Sequence, residues 1–311
     1  MDEFEMIARY FAPLGPDGLK DDAAVLQIPD GHELVVTSDT LNEGTHFWKS
    51  EDPAFIAQKA LRVNVSDLYA MGAQPFCYQL CLAFPEKPAA HWLKSFASAL
   101  EGDQKRYGLF CSGGDTTMIK GAFSVSITAL GLVPSGRALR RAGARVGDMV
   151  AVSGPVGSAF LGLKILQGGI PQGLAGQEYF LESYRVPSLY EGPLALLRDH
   201  AHAGIDISDG LLADLGHICS ASGVGAVVRQ ECIPLSHHAR ALVDSGGVTL
   251  EQLASGGDDY RLLLAIPPKK QDMFAGHFSV IGYFEAGPAE VRVQDRNGGF
   301  TSWTMQGWKH F

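Results

Sequence analysis

Strand-like and helix-like segments alternate along the 311-residue chain, and this alternation restricts its fold more than any other feature. Glu33–Ser38, Leu109–Ser112 and Phe123–Val133 are rich in apolar and β-branched residues, which predicts three strands. Asp52 and Pro53 predict the N-cap and the first position of a long helix, and Gly72 predicts its end. Because strands and helices are interspersed, the sequence predicts an α/β or α+β fold.

A basic segment dotted with glycine, Pro134–Asp148, predicts a domain boundary near the middle of the chain. After it, Met149–Val152 has the character of a strand and Gly210–Ala221 that of an amphipathic helix. We therefore expect two domains, residues 1–136 and residues 137–311.

The composition is that of a globular protein, with 46% hydrophobic and 19% charged residues. The net charge of −9 disfavours binding to nucleic acid or to anionic lipid. The sequence contains no apolar run near the ~18 residues of a membrane-spanning helix, and its acidic N-terminus lacks the pattern of a signal peptide. Five cysteines without a CxxC pair fit a reducing compartment. We expect a cytoplasmic protein with neither a membrane nor a nucleic acid as partner.

Aspartate recurs beside small residues close to the apolar runs. The segments that carry it are Asp21–Asp22, Thr37–Asp39, Asn64–Asp67, Gly113–Asp115, Asp206–Gly210 and Gly256–Tyr260. Aspartate is common in turns and at helix N-caps, so local structure alone explains any one of these residues. Asp67 differs from the others because it lies inside an apolar helical segment, where a carboxylate needs a partner.

Carboxylates and hydroxyls without a cluster of thiols or imidazoles favour Mg²⁺ or Mn²⁺ over zinc. Bound Mg²⁺ attracts phosphate oxygens, so an acidic protein of this kind can bind a nucleotide. The sequence contains no P-loop, protein-kinase, GxSxG or HExxH motif. Gly154–Ser158 follows a predicted strand and resembles a phosphate-binding turn, which is a weaker signal.

The order of the motifs resembles that of the thiamine-monophosphate kinase family, part of an ATP-binding superfamily related to aminoimidazole-ribonucleotide synthetase. The motifs are DDAAV, TSDTLNEGTHF, VNVSDLYAMGAQP, SGGDTT, GRALRRAGARVGD, DISDGL, SGGDDYRLL and GWKHF. The resemblance implies ATP-dependent phosphorylation of thiamine monophosphate to thiamine diphosphate, the final step of thiamine diphosphate biosynthesis. It also implies a homodimer of two-domain α/β chains whose N-terminal sheets form a barrel. The first domain would bind ATP and Mg²⁺ and dimerise, and the second would complete the active site.

The resemblance further implies functional roles for individual residues. It implies that several Mg²⁺ ions are held by Asp22, Thr37, Ser38, Asp39, Asp67, Asp115, Asp206 and Asp209. The implied nucleotide contacts are Tyr107, Gly114, Asp115, Arg141 and Ser208, and the implied substrate contacts are His46, Asp258 and Trp308. The acceptor is a phosphate oxygen, largely ionised near neutral pH, so we expect direct in-line transfer with no general base and no phosphoenzyme.

Two positions depart from the family pattern, and other functions stay open. Lys20 replaces a glycine, and Asp258 replaces a glutamate that is one methylene longer, which leaves its contact with substrate open. Selenophosphate synthetase is disfavoured because the N-terminal glycine-rich loop has no reactive cysteine. The hydrogenase-maturation relative is disfavoured because the sequence ends KHF, and aminoimidazole-ribonucleotide synthetase does not explain EGTHF. A non-catalytic Mg²⁺–nucleotide sensor and a structural protein are the alternatives from other classes.

Overall fold

A computed structural model describes residues 3–16, 18–170, 173–301, 303 and 307. Its α-helices are α1 (Glu3–Met6), α2 (Pro53–Ala70), α3 (Ala90–Tyr107), α4 (Ser158–Leu166), α5 (Gln177–Arg185), α6 (Leu194–His200), α7 (Leu211–Ser222), α8 (His237–Asp244), α9 (Leu250–Ser255) and α10 (Gln271–Phe274). Its strands are β1 (His32–Asn42), β2 (Gln74–Phe84), β3 (Phe110–Met118), β4 (Ser124–Pro134), β5 (Met149–Val152), β6 (Ala203–Asp206), β7 (Gly225–Arg229), β8 (Leu262–Ile266), β9 (Ser279–Glu285), β10 (Val291–Gln294) and β11 (Phe300–Thr301). Among these described residues, no helix combines the length and the apolar character needed to cross a membrane.

The chain divides into two compact units. Unit 1 comprises residues 1–68 and 73–136, and unit 2 comprises residues 69–72 and 137–311. Both units mix strands with helices, which confirms the predicted α/β class.

Unit 1 is built on a four-stranded sheet of order β1–β4–β2–β3, antiparallel except for the parallel pair of β2 and β3. Every second residue of β4 is buried, as in Val125, Ile127 and Ala129, so one face of the sheet packs into the core. A buried ion pair joins α2 to α3, with Arg62 donating to both oxygens of Asp103 at 2.7 and 2.8 Å. One face of the sheet is therefore buried, and among the described residues β1 and β3 are its edge strands.

Two strands of unit 1 are longer than the sequence predicts, and β2 is absent from the prediction. β1 continues past Ser38, its predicted end, to Asn42, and β3 continues past Ser112 through Gly113–Asp115, where we expected a turn. The reason is pairing over long stretches: β1 is matched with β4 from His32 to Asn42, and β3 is matched with β2. Pairing of the backbone in the sheet overrides the low strand propensity of glycine and aspartate.

Unit 2 is built on a seven-stranded sheet of order β11–β10–β7–β9–β5–β8–β6, in which β7 and β10 are the parallel neighbours. Val150 and Val152 of β5 belong to one apolar cluster, which includes Leu215 and Ile218 of α7. Ala151, between them, belongs to a second cluster with residues of α6 and α10. This alternation shows that both faces of the sheet are covered by helices.

Candidate active site

Thr37 and Asp39 of β1 meet Asp67 of α2 at one edge of the unit 1 sheet; we call these three residues the β1 cluster. The Thr37 hydroxyl donates a hydrogen bond of 2.6 Å to Asp67 Oδ2. The Asp39 N–H donates to Asn64 Oδ1 at 3.1 Å, and the Asn64 amide group donates to the Ala60 carbonyl at 2.9 Å. Thr37 of the strand thus holds the carboxylate of Asp67, and Asn64 of the helix holds the backbone of the strand at Asp39.

The β1 cluster concentrates negative charge in a partly buried place. Burial, and then the nearby negative charge of Asp67, raise the pKa of Asp39 from 3.8 to about 7. Two carboxylates and a hydroxyl are oxygen donors of the kind that Mg²⁺ prefers, and a bound cation would remove the repulsion. Ser38 lies on the opposite face of β1, with its hydroxyl 3.0 Å from that of Thr128, so its side chain is outside the cluster.

A cleft of about 650 Å³ lies at the opposite edge of the same sheet. It is lined by the irregular segment 19–26, by residues 79–82 of β2 and by residues 110–116 of β3. Asp22 and Asp115 both line it. Two of the predicted metal ligands therefore share this cleft and lie apart from the β1 cluster.

Gly114 and Lys20 also line the cleft. A Cβ atom at Gly114 would lie 1.8 Å from the carbonyl oxygen of Leu80, so only glycine lets β2 and β3 pair here. This requirement of the backbone explains the glycine by itself, and its contact with a nucleotide stays a prediction. Lys20 is exposed, so its ammonium group can reach an anion in the cleft.

His46 and Tyr107 occupy different environments. His46 Nδ1 accepts a hydrogen bond of 3.0 Å from the Asn42 N–H, which leaves the proton of the neutral ring on Nε2, where it can be donated to a phosphate oxygen. Tyr107 is buried, with the guanidinium carbons of Arg62 and Arg106 at 5.7 and 5.6 Å from its ring centre. It is not among the lining residues of the cleft, and its nucleotide contact stays a prediction.

In unit 2, Asp206 is buried at the end of β6, and Ser208 and Asp209 are half-buried in the following loop. Asp214, in the first turn of α7, accepts hydrogen bonds of 3.1 Å from the N–H groups of Ser208, Asp209 and Gly210. Burial, and then the charge of Asp209, raise the pKa of Asp214 to about 7 although these hydrogen bonds lower it. The sequence prediction missed Asp214; its place in the first turn after the DISDG motif was the available signal.

A second loop of unit 2 lies directly against the first. The Asp258 N–H donates to the Ser208 carbonyl, and the Tyr260 N–H donates to the Ile207 carbonyl, both at 2.8 Å. The Tyr260 hydroxyl donates to Asp258 Oδ1 at 3.2 Å. The structure thus places a predicted substrate residue, Asp258, beside a predicted nucleotide residue, Ser208.

The neighbouring Asp259 corrects the interpretation of Gly154–Ser158 as a phosphate-binding turn. Asp259 is buried and accepts hydrogen bonds from the N–H groups of Gly157, at 2.6 Å, and Ala159, at 3.4 Å. Its carboxylate therefore fills the position at the start of α4 that a phosphate would take. The chain itself supplies the anion, from a segment distant in sequence.

Two further residues were predicted as site residues, Arg141 and Trp308. Arg141 is exposed in unit 2, and its backbone carbonyl accepts a hydrogen bond of 3.2 Å from the Ser222 hydroxyl. Trp308 lies outside the described residues.

Most of the predicted site residues form three groups within one chain. They are the β1 cluster, the cleft with Asp22 and Asp115, and the paired loops of unit 2. Because β4 and β2 separate β1 from β3, the first two groups stand about 14 Å apart, from three spacings of ~4.8 Å. Ligands of one Mg²⁺ lie ~2.1 Å from the ion, so these two groups cannot share an ion within one chain.

We expect the free energy of unfolding to fall as the pH rises from about 4 to about 7 in Mg²⁺-free buffer. Burial raises the pKa of Asp259 from 3.8 in the unfolded chain to about 7 in the folded protein. The protonated side chain therefore contributes fully to the free energy of unfolding below pH 3.8, and this contribution is lost as the pH rises through about 7. A tenfold difference in proton affinity between the folded and unfolded states corresponds to ~1.4 kcal/mol. Thermal unfolding of the wild type and of Asp259→Asn between pH 4 and pH 8 measures this loss of stability. If both proteins show the same pH dependence, Asp259 is not its source.

Comparison with known proteins defines the class to which this fold and site belong. Residues 20–133 match the AIR synthase related protein, N-terminal domain, and residues 145–294 match the C-terminal domain of the same family. Hydrogenase maturation protein HypE in complex with ATP has a similar fold, with a TM-score of 0.77 at 18% identity over 97% of this chain and 94% of that chain. The chain is an AIR synthase related protein.

More similar relatives define its place within that class. The thiamine-monophosphate kinases of Salmonella typhimurium and Escherichia coli K12 are 37% and 38% identical to it, over 99% of this chain and 98% of each relative. The crystal structure of thiamine-monophosphate kinase from Stenotrophomonas maltophilia has a TM-score of 0.83 at 36% identity, covering 93% of this chain and 94% of that one. AaThiL complexed with AMPPCP and TMP has a TM-score of 0.80 at 30% identity, covering 94% and 91%. The chain belongs to the thiamine-monophosphate kinase family, which confirms the resemblance of its motifs.

Proposed function

We propose that this protein transfers the γ-phosphoryl group of ATP to thiamine monophosphate and forms thiamine diphosphate. Membership of the thiamine-monophosphate kinase family over both domains supports this activity. The structural observation that best supports this activity is the β1 cluster. Its two close carboxylates, one with its pKa raised to about 7, suit a chemistry that depends on bound cations.

Several Mg²⁺ ions would be held by the β1 cluster, by Asp22 and Asp115 in the cleft, and by Asp206 and Asp209 of unit 2. When bound, Mg²⁺ neutralises the phosphate oxygens and stabilises the charge of the transition state. The donor chemistry fits this ion, because every one of these side chains offers oxygen.

The chain's own residues bind and orient two anionic substrates. The acceptor is a phosphate monoester whose second pKa is near 6, so it is largely ionised at neutral pH and needs no general base. His46 would donate its Nε2 proton to the acceptor phosphate, and Asp258 would hold the thiamine part together with Trp308. Tyr107, Gly114, Arg141 and Ser208 would contact the nucleotide. We propose direct transfer, and isolation of a phosphoenzyme would contradict it.

We also propose a homodimer in which each active site combines the β1 cluster of one chain with the cleft of the other. The separation of these two groups by two strands supports a shared site. Exposed apolar side chains on the two edge strands support association: Leu34 is 40%, Val36 is 59% and Met118 is 60% exposed. In this arrangement unit 1, proposed as the domain of residues 1–136, binds ATP and dimerises, and unit 2 completes the site.

The direct test is to incubate the purified protein with Mg²⁺, ATP and thiamine monophosphate and to quantify thiamine diphosphate. Formation of product above a no-enzyme control supports the proposal. Mg²⁺-dependent binding of ATP without product would contradict it and favour a nucleotide sensor instead. Because the described cysteines are all free thiols, we propose the cytoplasm as the place of this reaction.

Asp258→Asn is expected to raise the KM for thiamine monophosphate about tenfold and to change the KM for ATP less than twofold. The loss of a hydrogen bond to a charged group is worth about 1.5–3 kcal/mol, and a tenfold effect corresponds to ~1.4 kcal/mol. Steady-state kinetics with each substrate varied in turn measures both constants. Asp258→Glu keeps the carboxylate and is the matched control, and equal effects of Asp258→Asn on both constants contradict a role specific to the acceptor.

A further inference from the structure

Asp259 has a different environment from its neighbour Asp258, although both belong to the same loop. Its carboxylate is buried and bridges two backbone N–H groups, those of Gly157 before α4 and of Ala159 within its first turn. An anion at the start of a helix is stabilised by the N–H groups there that have no partner within the helix. Asp259 is therefore anchored to α4, while Asp258 is only half-buried.

The backbone on both sides of Asp259 is in an unusual conformation. Asp258 has φ +66° and Tyr260 has φ +49°, which lie in the left-handed region that residues other than glycine rarely adopt. Such a conformation persists where surrounding contacts determine it. Here those contacts are the anchor of Asp259 on α4 and the hydrogen bonds from the Asp258 and Tyr260 N–H groups to the neighbouring loop.

The same loop is pressed against the loop that carries Ser208 and Asp209. A Cβ atom at Gly257 would lie 2.3 Å from the Ser208 carbonyl oxygen, and one at Gly210 would lie 2.7 Å from the Ser255 carbonyl oxygen. The two loops can approach so closely because glycine occupies both positions. A shift of the Asp258 loop therefore changes where Asp258 stands relative to Ser208.

We propose that Asp259 is a positioning residue for the acceptor substrate: its anchor on α4 holds the loop 256–260 in the conformation that presents Asp258. This inference rests on the proposed function, because it takes Asp258 as the contact for thiamine monophosphate. Asp259 itself touches no substrate and acts through its neighbour.

Asp259→Asn tests the proposal with two measurements. The asparagine keeps one acceptor oxygen but turns an amide N–H₂ toward a backbone N–H, so the anchor is weakened. We expect hydrogen exchange of the Asp258 and Tyr260 amides to become at least tenfold faster. We expect the KM for thiamine monophosphate to rise at least fivefold, with the KM for ATP changed less than twofold. Asp259→Ala removes both acceptor oxygens and should show the larger effect in each measurement.

Asp148→Asn is the matched control in the same unit. Asp148 is also buried and accepts hydrogen bonds of 2.8 Å from the Arg145 N–H and from His202 Nδ1, but it holds a different turn. Asp148→Asn should leave hydrogen exchange of the Asp258 and Tyr260 amides, and the KM values for thiamine monophosphate and ATP, as in the wild type. Unchanged exchange in Asp259→Asn, or an equal rise of both KM values, would overturn the proposal.

The two measurements separate this inference from the proposed function. If the wild type forms no thiamine diphosphate, the proposed function fails and the positioning role for that acceptor fails with it, whatever the exchange shows. If the wild type is active and Asp258→Asn raises the acceptor KM while Asp259→Asn does not, the function stands and the positioning role alone is wrong.

Discussion

Asp67→Asn is expected to reduce the rate of thiamine diphosphate formation by about 10²–10³-fold. Metal ions contribute several kcal/mol to the stabilisation of a transition state of this type, and each ~1.4 kcal/mol is tenfold in rate. Asp67 lies at the centre of the β1 cluster, where it accepts a hydrogen bond from the Thr37 hydroxyl and adds to the effect of burial in raising the pKa of Asp39. Asparagine removes one of the two negative charges that would bind a cation in the β1 cluster. The measurement is the initial rate at saturating ATP and thiamine monophosphate over a series of Mg²⁺ concentrations.

The same variant is expected to be more stable than the wild type when Mg²⁺ is absent. Asparagine is nearly isosteric with aspartate and can still accept the hydrogen bond from Thr37, while the repulsion of Asp39 disappears. A higher melting temperature together with a collapsed rate separates loss of function from loss of structure. Asp52→Asn is a suitable control because Asp52 accepts the Ala54 N–H at 2.9 Å at the exposed start of α2, a cap that asparagine also provides. A rate for Asp67→Asn within threefold of the wild type would show that the β1 cluster holds no essential ion.

Mixing two inactive variants is expected to restore activity if the active site is shared between chains. Asp67→Asn damages the β1 cluster, and Asp115→Asn damages the cleft at the other edge of the sheet. In a mixed dimer one site carries both changes and the other carries neither. After purification of the mixed dimers away from both parent dimers, one site in two is intact, so about half of the wild-type activity should return. Each variant alone should be nearly inactive.

A second mixture serves as the control for this experiment. Asp67→Asn and Asp39→Asn both change the β1 cluster, so a mixed dimer of these two variants has no intact site and should stay inactive. The variants are combined by co-expression and purified through two different tags, and the mass of the mixed dimer is verified by light scattering. If mixed dimers of Asp67→Asn and Asp115→Asn form but stay inactive, each site lies within a single chain and the shared arrangement is wrong.

The extent to which sequence predicted this structure differs between its elements. The bounds of α2 were predicted almost completely, because Asp52, Pro53 and Gly72 are local signals that act within one turn of the helix. β3 was predicted too short, because glycine and aspartate have low strand propensity and its pairing with β2 is not a local property. Asp214 and Asp259 were missed as structural anions, since their partners become visible only when the chain is folded.

By itself, the sequence determined the family and predicted the chemistry. Carboxylates and hydroxyls without a cluster of soft ligands indicate Mg²⁺ and phosphate, and the order of the motifs indicates a thiamine-monophosphate kinase. Only the tertiary structure decided how these residues are grouped. Asp39 and Asp67 meet at the β1 edge, whereas Asp115 lies in the cleft at the β3 edge, because the strand order β1–β4–β2–β3 separates β1 from β3. Strand order depends on pairings between distant segments, and the residue pattern within each segment does not record them.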